Sequence, residues 1–225
     1  RHIFASVDAS LKRHGVDDID LLLIHRWDPH TPLEETLRAL DDLVTSGKVR
    51  YLGASSMSAW RFMKALAAQR AAGFAPFIAM QSYYNLIYRE EEREMLALCR
   101  EEGVGVTPWS PLARGLLAGA AVDPARVRDD ALVGARFAEG PDRPVIERLH
   151  EVAAARGVAV ATMALSWLLS QPTVVAPIMG FSQVSQIDVA CDALDLELTA
   201  QEIHSLEERY VPHPVIGHAD ETDRG

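Results

Sequence analysis

Ile19-Asp20-Leu21-Leu22-Leu23-Ile24-His25-Arg26-Trp27-Asp28 is the stretch from which the rest of the chain is best read. Residues 19–24 are apolar apart from Asp20 and show no helical period, the pattern of a strand buried on both faces. The run breaks at His25 into polar and aromatic side chains. In α/β barrels the reactive groups stand at the C-terminal ends of parallel strands. A core strand followed by a solvated His accounts for this stretch equally well when it is taken alone. What favours a site is that the same pattern recurs along the chain.

Upstream, Ile3, Val7 and Leu11 mark one face of a helix that Gly15 ends. Downstream, Thr31-Pro32-Leu33-Glu34 combines an N-cap Thr, a Pro at the first helical position and a capping-box Glu. The helix it opens carries Leu37, Leu40 and Leu43 inward and stops at Gly47. Residues 49–54 form the next expected strand, ending in Ser55-Ser56. A helix with Trp60, Met63, Leu66 and Ala67 on its apolar face then leads to Gly73. A strand over 77–80 ends at Gln81, and a charged helix follows over 90–102. A strand from 104 to 107 ends in Pro108-Trp109-Ser110-Pro111. Residues 113–143 lack any period and are expected to form a long loop, and loops of that length in compact domains tend to be functional or mobile. Helices are expected over 144–156, 161–169 and 185–194, with a fifth strand over 174–179 ending at Gly180. Thr199 and Glu202 form a capping box for the last helix, and 210–225 is an irregular tail. Strands alternating with helices at this spacing imply a parallel sheet in a single domain over 1–225.

The formal charge is −10, from 22 basic and 32 acidic residues, which argues against nucleic acid or an anionic membrane as partner. Cys99 and Cys191 have no metal-ligand spacing, so a reducing, cytoplasmic setting is expected. No apolar run approaches the roughly 18 residues of a membrane span, and no signal peptide is evident. A homo-oligomer is left open.

The chain has neither G-x-G-x-x-G nor G-x-x-x-x-G-K-[ST], so any nucleotide must be held in another way. Gly53-Ala54-Ser55-Ser56-Met57 lacks the second Gly of a nucleophile elbow, which disfavours a serine hydrolase. His213, His218 and Asp220 have metal-binding side chains, but in a tail with nothing to hold it a solvated role is expected, and no metal site is assigned. Ser55 and Gln81 are able to hydrogen-bond a carboxamide, and Trp109 offers a flat face to an aromatic ring. Ser110 and Gly180 suit phosphate groups, and His25 is able to donate to a carbonyl oxygen. These properties are compatible with a nicotinamide cofactor lying across the strand ends.

Residues 19–28, Tyr51-Leu52-Gly53-Ala54-Ser55-Ser56, Met80-Gln81 with Tyr84-Asn85-Leu86, Pro108-Trp109-Ser110-Pro111-Leu112-Ala113-Arg114-Gly115 and Ala176-Pro177-Ile178-Met179-Gly180 together resemble the aldo-keto reductase family, its bacterial members in particular. The resemblance covers nearly the whole chain in order. It implies a (β/α)8 TIM barrel that reduces small aldehydes or ketones with NADPH, NAD not being excluded. It makes His25 the catalytic histidine that polarises the carbonyl, and it places Ser55 and Gln81 on the carboxamide. Trp109 would stack on the nicotinamide, while Ser110, Pro111, Leu112, Ala113, Gly180, Ser182 and Gln186 would line the phosphate and adenosine end. Trp27 and Tyr84 are expected in the substrate pocket. Gln183 and Ala190 stand where the family often has a basic residue and an Asn, with Arg114 or Arg136 as potential compensation. About five of eight strands are expected here, with the chain joining the pattern at the helix after the third strand. The family's Asp, Tyr and Lys would then be absent and activity impaired. The rival readings are a non-catalytic cofactor-binding subunit, of which potassium-channel β subunits are an example, and a truncated inactive paralogue.

Overall fold

The computed structural model describes residues 1–119 and 140–215. The expected loop over 113–143 and tail over 210–225 therefore lie partly outside the described residues, and Arg136, His218 and Asp220 lie wholly outside them. The described residues form two compact units, one holding 1–82, 92–106 and 215, the other 83–91, 107–119 and 140–214.

The first unit alternates helix and strand: α1 (His2–His14), β1 (Ile19–Ile24), α2 (Leu33–Thr45), β2 (Val49–Ser55), α3 (Ala59–Ala72), β3 (Phe77–Gln81), α4 (Met95–Glu102) and β4 (Gly105–Val106). The strands pair in chain order and all are parallel. Leu37, Leu40 and Leu43 of α2 are buried as their spacing predicts, in one core with Val7, Leu52, Phe62 and Met80. Gly53 allows a close approach of strands: a Cβ there would lie 3.0 Å from the Ala79 carbonyl oxygen of β3 and 3.1 Å from the Leu23 side chain of β1, so a neighbour would have to give by a few tenths of an ångström.

Four expectations in this unit need correction. β1 is half-buried along its length rather than buried on both faces, because among the described residues it is an edge strand paired with β2 alone. Thr31 does not cap α2. Its hydroxyl donates to Asp28 Oδ2 at 2.6 Å, which leaves Pro32 at the cap position with no side-chain cap. The buried residues of α3 are Arg61, Phe62, Ala65, Leu66 and Gln69, while Trp60 is 61% exposed. The charged helix expected over 90–102 is a 3-10 turn, Glu90–Arg93, followed by α4, with a break at Glu94 (φ −144°).

The second unit holds α5 (Arg143–Arg156), α6 (Val160–Leu169), α7 (Ser185–Cys191) and α8 (Ala200–Glu207). α6 is buried from Ala161 to Leu168, so it is the hydrophobic centre of the unit. The capping box of α8 is present as expected, with Glu202 N donating to Thr199 Oγ1 at 3.2 Å and Thr199 N to Glu202 Oε2 at 2.7 Å. Residues 174–179 do not form a strand, so the described sheet has four strands rather than five. Ile178 makes one parallel bridge to Trp109 and donates its N–H to the Pro108 carbonyl at 2.8 Å. Pro177 and Pro108 have no N–H to extend that ladder.

His213 is not solvated either. Its side chain is 6% exposed, with Nε2 2.7 Å from Asp142 Oδ1. Glu90 is buried because it accepts the Tyr210 hydroxyl at 2.6 Å and the His213 N–H at 2.7 Å. Burial, and then that bond to Glu90, pushes the Tyr210 pKa well above its ordinary value. Among the described residues no group of three or more His, Cys, Asp or Glu is placed to hold a metal. No single described helix is long and apolar enough to cross a membrane.

Candidate functional site

In the first unit the parallel register pairs Ile24 with Ala54 and Ser55 with Gln81, which sets the ends of β1, β2 and β3 side by side. Ser55 is 2% exposed. Its hydroxyl donates to the Gln81 carbonyl at 2.9 Å and lies 3.2 Å from Ser56 Oγ. Ser56 turns the chain with φ 48°, and its N–H donates to the same Gln81 carbonyl at 3.1 Å. A non-glycine residue in the left-handed region costs about 1–2 kcal/mol, so the turn is held by these bonds rather than by preference.

His25 follows β1 directly and is exposed. Its carbonyl accepts from Arg26 Nη1 at 3.1 Å. Asp28 closes the turn by accepting the Thr31 hydroxyl and the His30 N–H. The Thr31 bond first, and then the His30 bond, hold the Asp28 pKa below its ordinary value. Trp27 is half-buried and packs against the apolar core of this unit.

In the second unit Trp109 is half-buried and stacks on Tyr83, with ring centres 4.4 Å apart and planes 25° from parallel. Ser110 follows at φ 51°. Its carbonyl accepts from Asn85 Nδ2 at 3.1 Å and from Ala113 N at 2.9 Å. Ala113 and Arg114 are also left-handed, at φ 47° and 58°. Three strained residues within five positions mark this segment as held in one shape by its surroundings.

A groove of about 720 Å³ opens beside this segment. Six residues singled out in the sequence line it: Ser110, Pro111, Leu112, Gly180, Ser182 and Gln186. Arg114, Leu165, Phe181 and Ala190 line it as well. Among the described residues its lining carries one cation, Arg114, and no carboxylate, which suits an anionic ligand. Its volume falls in the range of about 300–1,000 Å³ usual for cofactor sites. Gln186 folds back over its own turn, its Oε1 accepting from Ser182 N at 2.9 Å and from Gln183 N at 3.3 Å. A ligand that takes those two donors has to displace the Gln186 amide.

Two of the expected site residues are placed differently. Tyr84 is fully buried against Trp167, with ring centres 5.7 Å apart, so it presents no surface to a substrate. Ala113 is 1% exposed and shapes the left-handed turn rather than lining the groove. Conversely, Tyr83, Asn85 and Phe181 take part without having been assigned a role. Tyr83 and Asn85 sit next to Tyr84 in a segment quoted for its resemblance, but their partners lie some 25 residues further on, where no local pattern points.

A model of the aldo/keto reductase family matches residues 1–210. The chain belongs to that family. The chain is 45% identical over 221 residues to versiconal hemiacetal acetate reductase of Aspergillus parasiticus, covering 96% of this chain and 64% of that protein. It is 43% identical over 220 residues to a provisionally named aryl-alcohol dehydrogenase of Schizosaccharomyces pombe, covering 96% and 62%. An aldo-keto reductase of Alternaria alternata is 43% identical over 219 residues, covering 96% and 59%. The chain thus spans between 59% and 64% of the length of these three relatives. All three are fungal, and the bacterial kinship suggested by the motifs finds no support among them.

Proposed function

We propose that this aldo/keto reductase reduces aldehydes or ketones to alcohols, with NADPH bound along the 110–190 groove as hydride donor. The observation that carries the reading is the groove itself: among the described residues its lining has one cation and no carboxylate, and it includes six residues that the family resemblance assigns to the cofactor. Trp109 would offer its ring to the nicotinamide, and Ser55 and Gln81 would hold the carboxamide. When bound, the dinucleotide supplies the hydride. The name of one relative, an aryl-alcohol dehydrogenase, supports an aromatic carbonyl substrate. The half-buried Trp27 beside His25 suits the same class.

His25 would act on the carbonyl oxygen. As hydride arrives at carbon, negative charge develops on that oxygen, and an imidazole N–H aimed at it stabilises the transition state more than the ground state. The four described strands and their helices would belong to the family's (β/α)8 barrel, and the expected setting is cytoplasmic. Arg114 in the lining supports NADPH as the donor, while Gln183 supplies no charge and keeps NADH as the alternative.

The test is NADPH oxidation with a panel of aromatic aldehydes. In a protein that also carries the family's Asp, Tyr and Lys, NADPH should be oxidised, and His25→Ala should lower turnover by about 10²-fold or more with little change in NADPH affinity. Equal turnover in the two proteins would remove His25 from the chemistry.

A further inference from the structure

The exposed His25 stands at the start of a segment, 25–31, whose own hydrogen bonds are local. Arg26 reaches the His25 carbonyl, while Asp28 binds His30 and Thr31. Those bonds close the turn upon itself without fastening it to the rest of the unit. Trp27 supplies a fastening through its packing against the core. Lying over the Trp27 ring, with its guanidinium carbon 5.7 Å from the ring centre, is Arg61 of α3. The same guanidinium lies 5.2 Å from the ring centre of Trp60. Arg61 is 8% exposed, a degree of burial arginine rarely reaches. A planar, weakly hydrated guanidinium stacks on an indole face, where a lysine would offer only a point charge.

We propose that Arg61 is the positioning residue of the candidate active site: by stacking on Trp27 it fixes the segment that carries the imidazole of His25. It touches neither substrate nor cofactor and acts through Trp27. The inference rests on the reading of His25 as the group that polarises the carbonyl. It accounts for why the aromatic residue two positions after His25 is turned toward the core.

The test uses Arg61→Lys, Arg61→Met, Trp27→Leu and the Arg61→Met/Trp27→Leu double variant. For each, amide hydrogen exchange is measured over 25–31, together with kcat, KM and NADPH affinity. Loss of a desolvated stacking contact should speed exchange over 25–31 by about tenfold in both Arg61 variants. Turnover should fall while NADPH affinity stays at the wild-type value. In the Trp27→Leu background the Arg61→Met change should add little, since the two side chains act as one contact. Arg61→Lys keeps charge and stem but loses the plane, so it carries the test if Arg61→Met does not fold. A merely structural role would lower stability and leave kcat intact, and that result overturns the proposal. So does wild-type exchange over 25–31 in both Arg61 variants, or full additivity in the double variant. If no aldehyde is reduced even by a protein that also carries the family's Asp, Tyr and Lys, the carbonyl-reductase reading fails, and the exchange data still decide whether Arg61 holds the segment.

Discussion

Asp28 accepts the Thr31 hydroxyl at 2.6 Å and the His30 N–H at 2.9 Å, and these bonds lower its pKa from an ordinary 3.8. A carboxyl whose pKa is lower in the folded state stabilises that state above its unfolded pKa. The contribution is lost as pH falls through the folded value. The protection factor of the His30 amide should therefore hold steady from neutral pH down to about pH 4 and decline below it. In Asp28→Ala that decline should vanish; an unchanged pH profile in the variant would assign the protection to another group. At this scale the sequence shows His25, Ser55 and Gln81 clearly, because each ends an apolar run and so falls at a strand terminus. It conceals Arg61 and misplaces Tyr84, because the partners that decide their roles, Trp27 and Trp167, are brought up by the fold rather than by sequence spacing.

Helices α2 and α8 show which element boundaries are legible. Thr199 and Glu202 satisfy one another three residues apart, so the cap of α8 can be derived from four residues alone. Thr31 has the same kind of sequence context, but the Asp28 carboxylate captures its hydroxyl first. The two threonines should accordingly respond differently to alanine. Thr199→Ala should cost about 1 kcal/mol in urea unfolding, the usual worth of an N-cap. Thr31→Ala should leave the stability of α2 nearly unchanged, while weakening the protection of the 25–31 turn. Equal losses would mean that Thr31 is a cap after all. The misassigned strand at 174–179 has a similar origin: its residues are largely apolar, but Pro177 and its neighbour Pro108 have no N–H with which to extend the Trp109–Ile178 bridge into a ladder. Gly119 is a further determinant at this level. Its φ is +78°, and a Cβ there would lie 2.8 Å from Val160 Cβ at the start of α6, so Gly119→Ala should lower the melting temperature. An unchanged melting temperature would mean that α6 yields at Val160.

For the molecule as a whole, the alternation of apolar runs with helical periods was enough to give the parallel α/β class and the order of β1 to β4, but not the absence of a strand over 174–179. The family match over residues 1–210 agrees with it. The groove was only partly legible. Its lining comes from 110–118, 159–165 and 178–190, three separated stretches whose convergence depends on α6 being buried at the centre of the second unit. The central claim is that this groove holds the dinucleotide, and Gly180 allows it to be tested without disturbing the fold. A Cβ at Gly180 meets no atom of the described residues within 4 Å, so a side chain can be introduced there at the groove wall without a clash at its first carbon. Calorimetric titration of NADP+ into wild-type protein and Gly180→Leu is the most direct measurement, with thermal unfolding of both ligand-free proteins alongside. The variant should unfold at the wild-type temperature and bind NADP+ at least about tenfold more weakly, a loss of roughly 1.4 kcal/mol. Undiminished NADP+ affinity in Gly180→Leu would contradict the account and place the cofactor elsewhere.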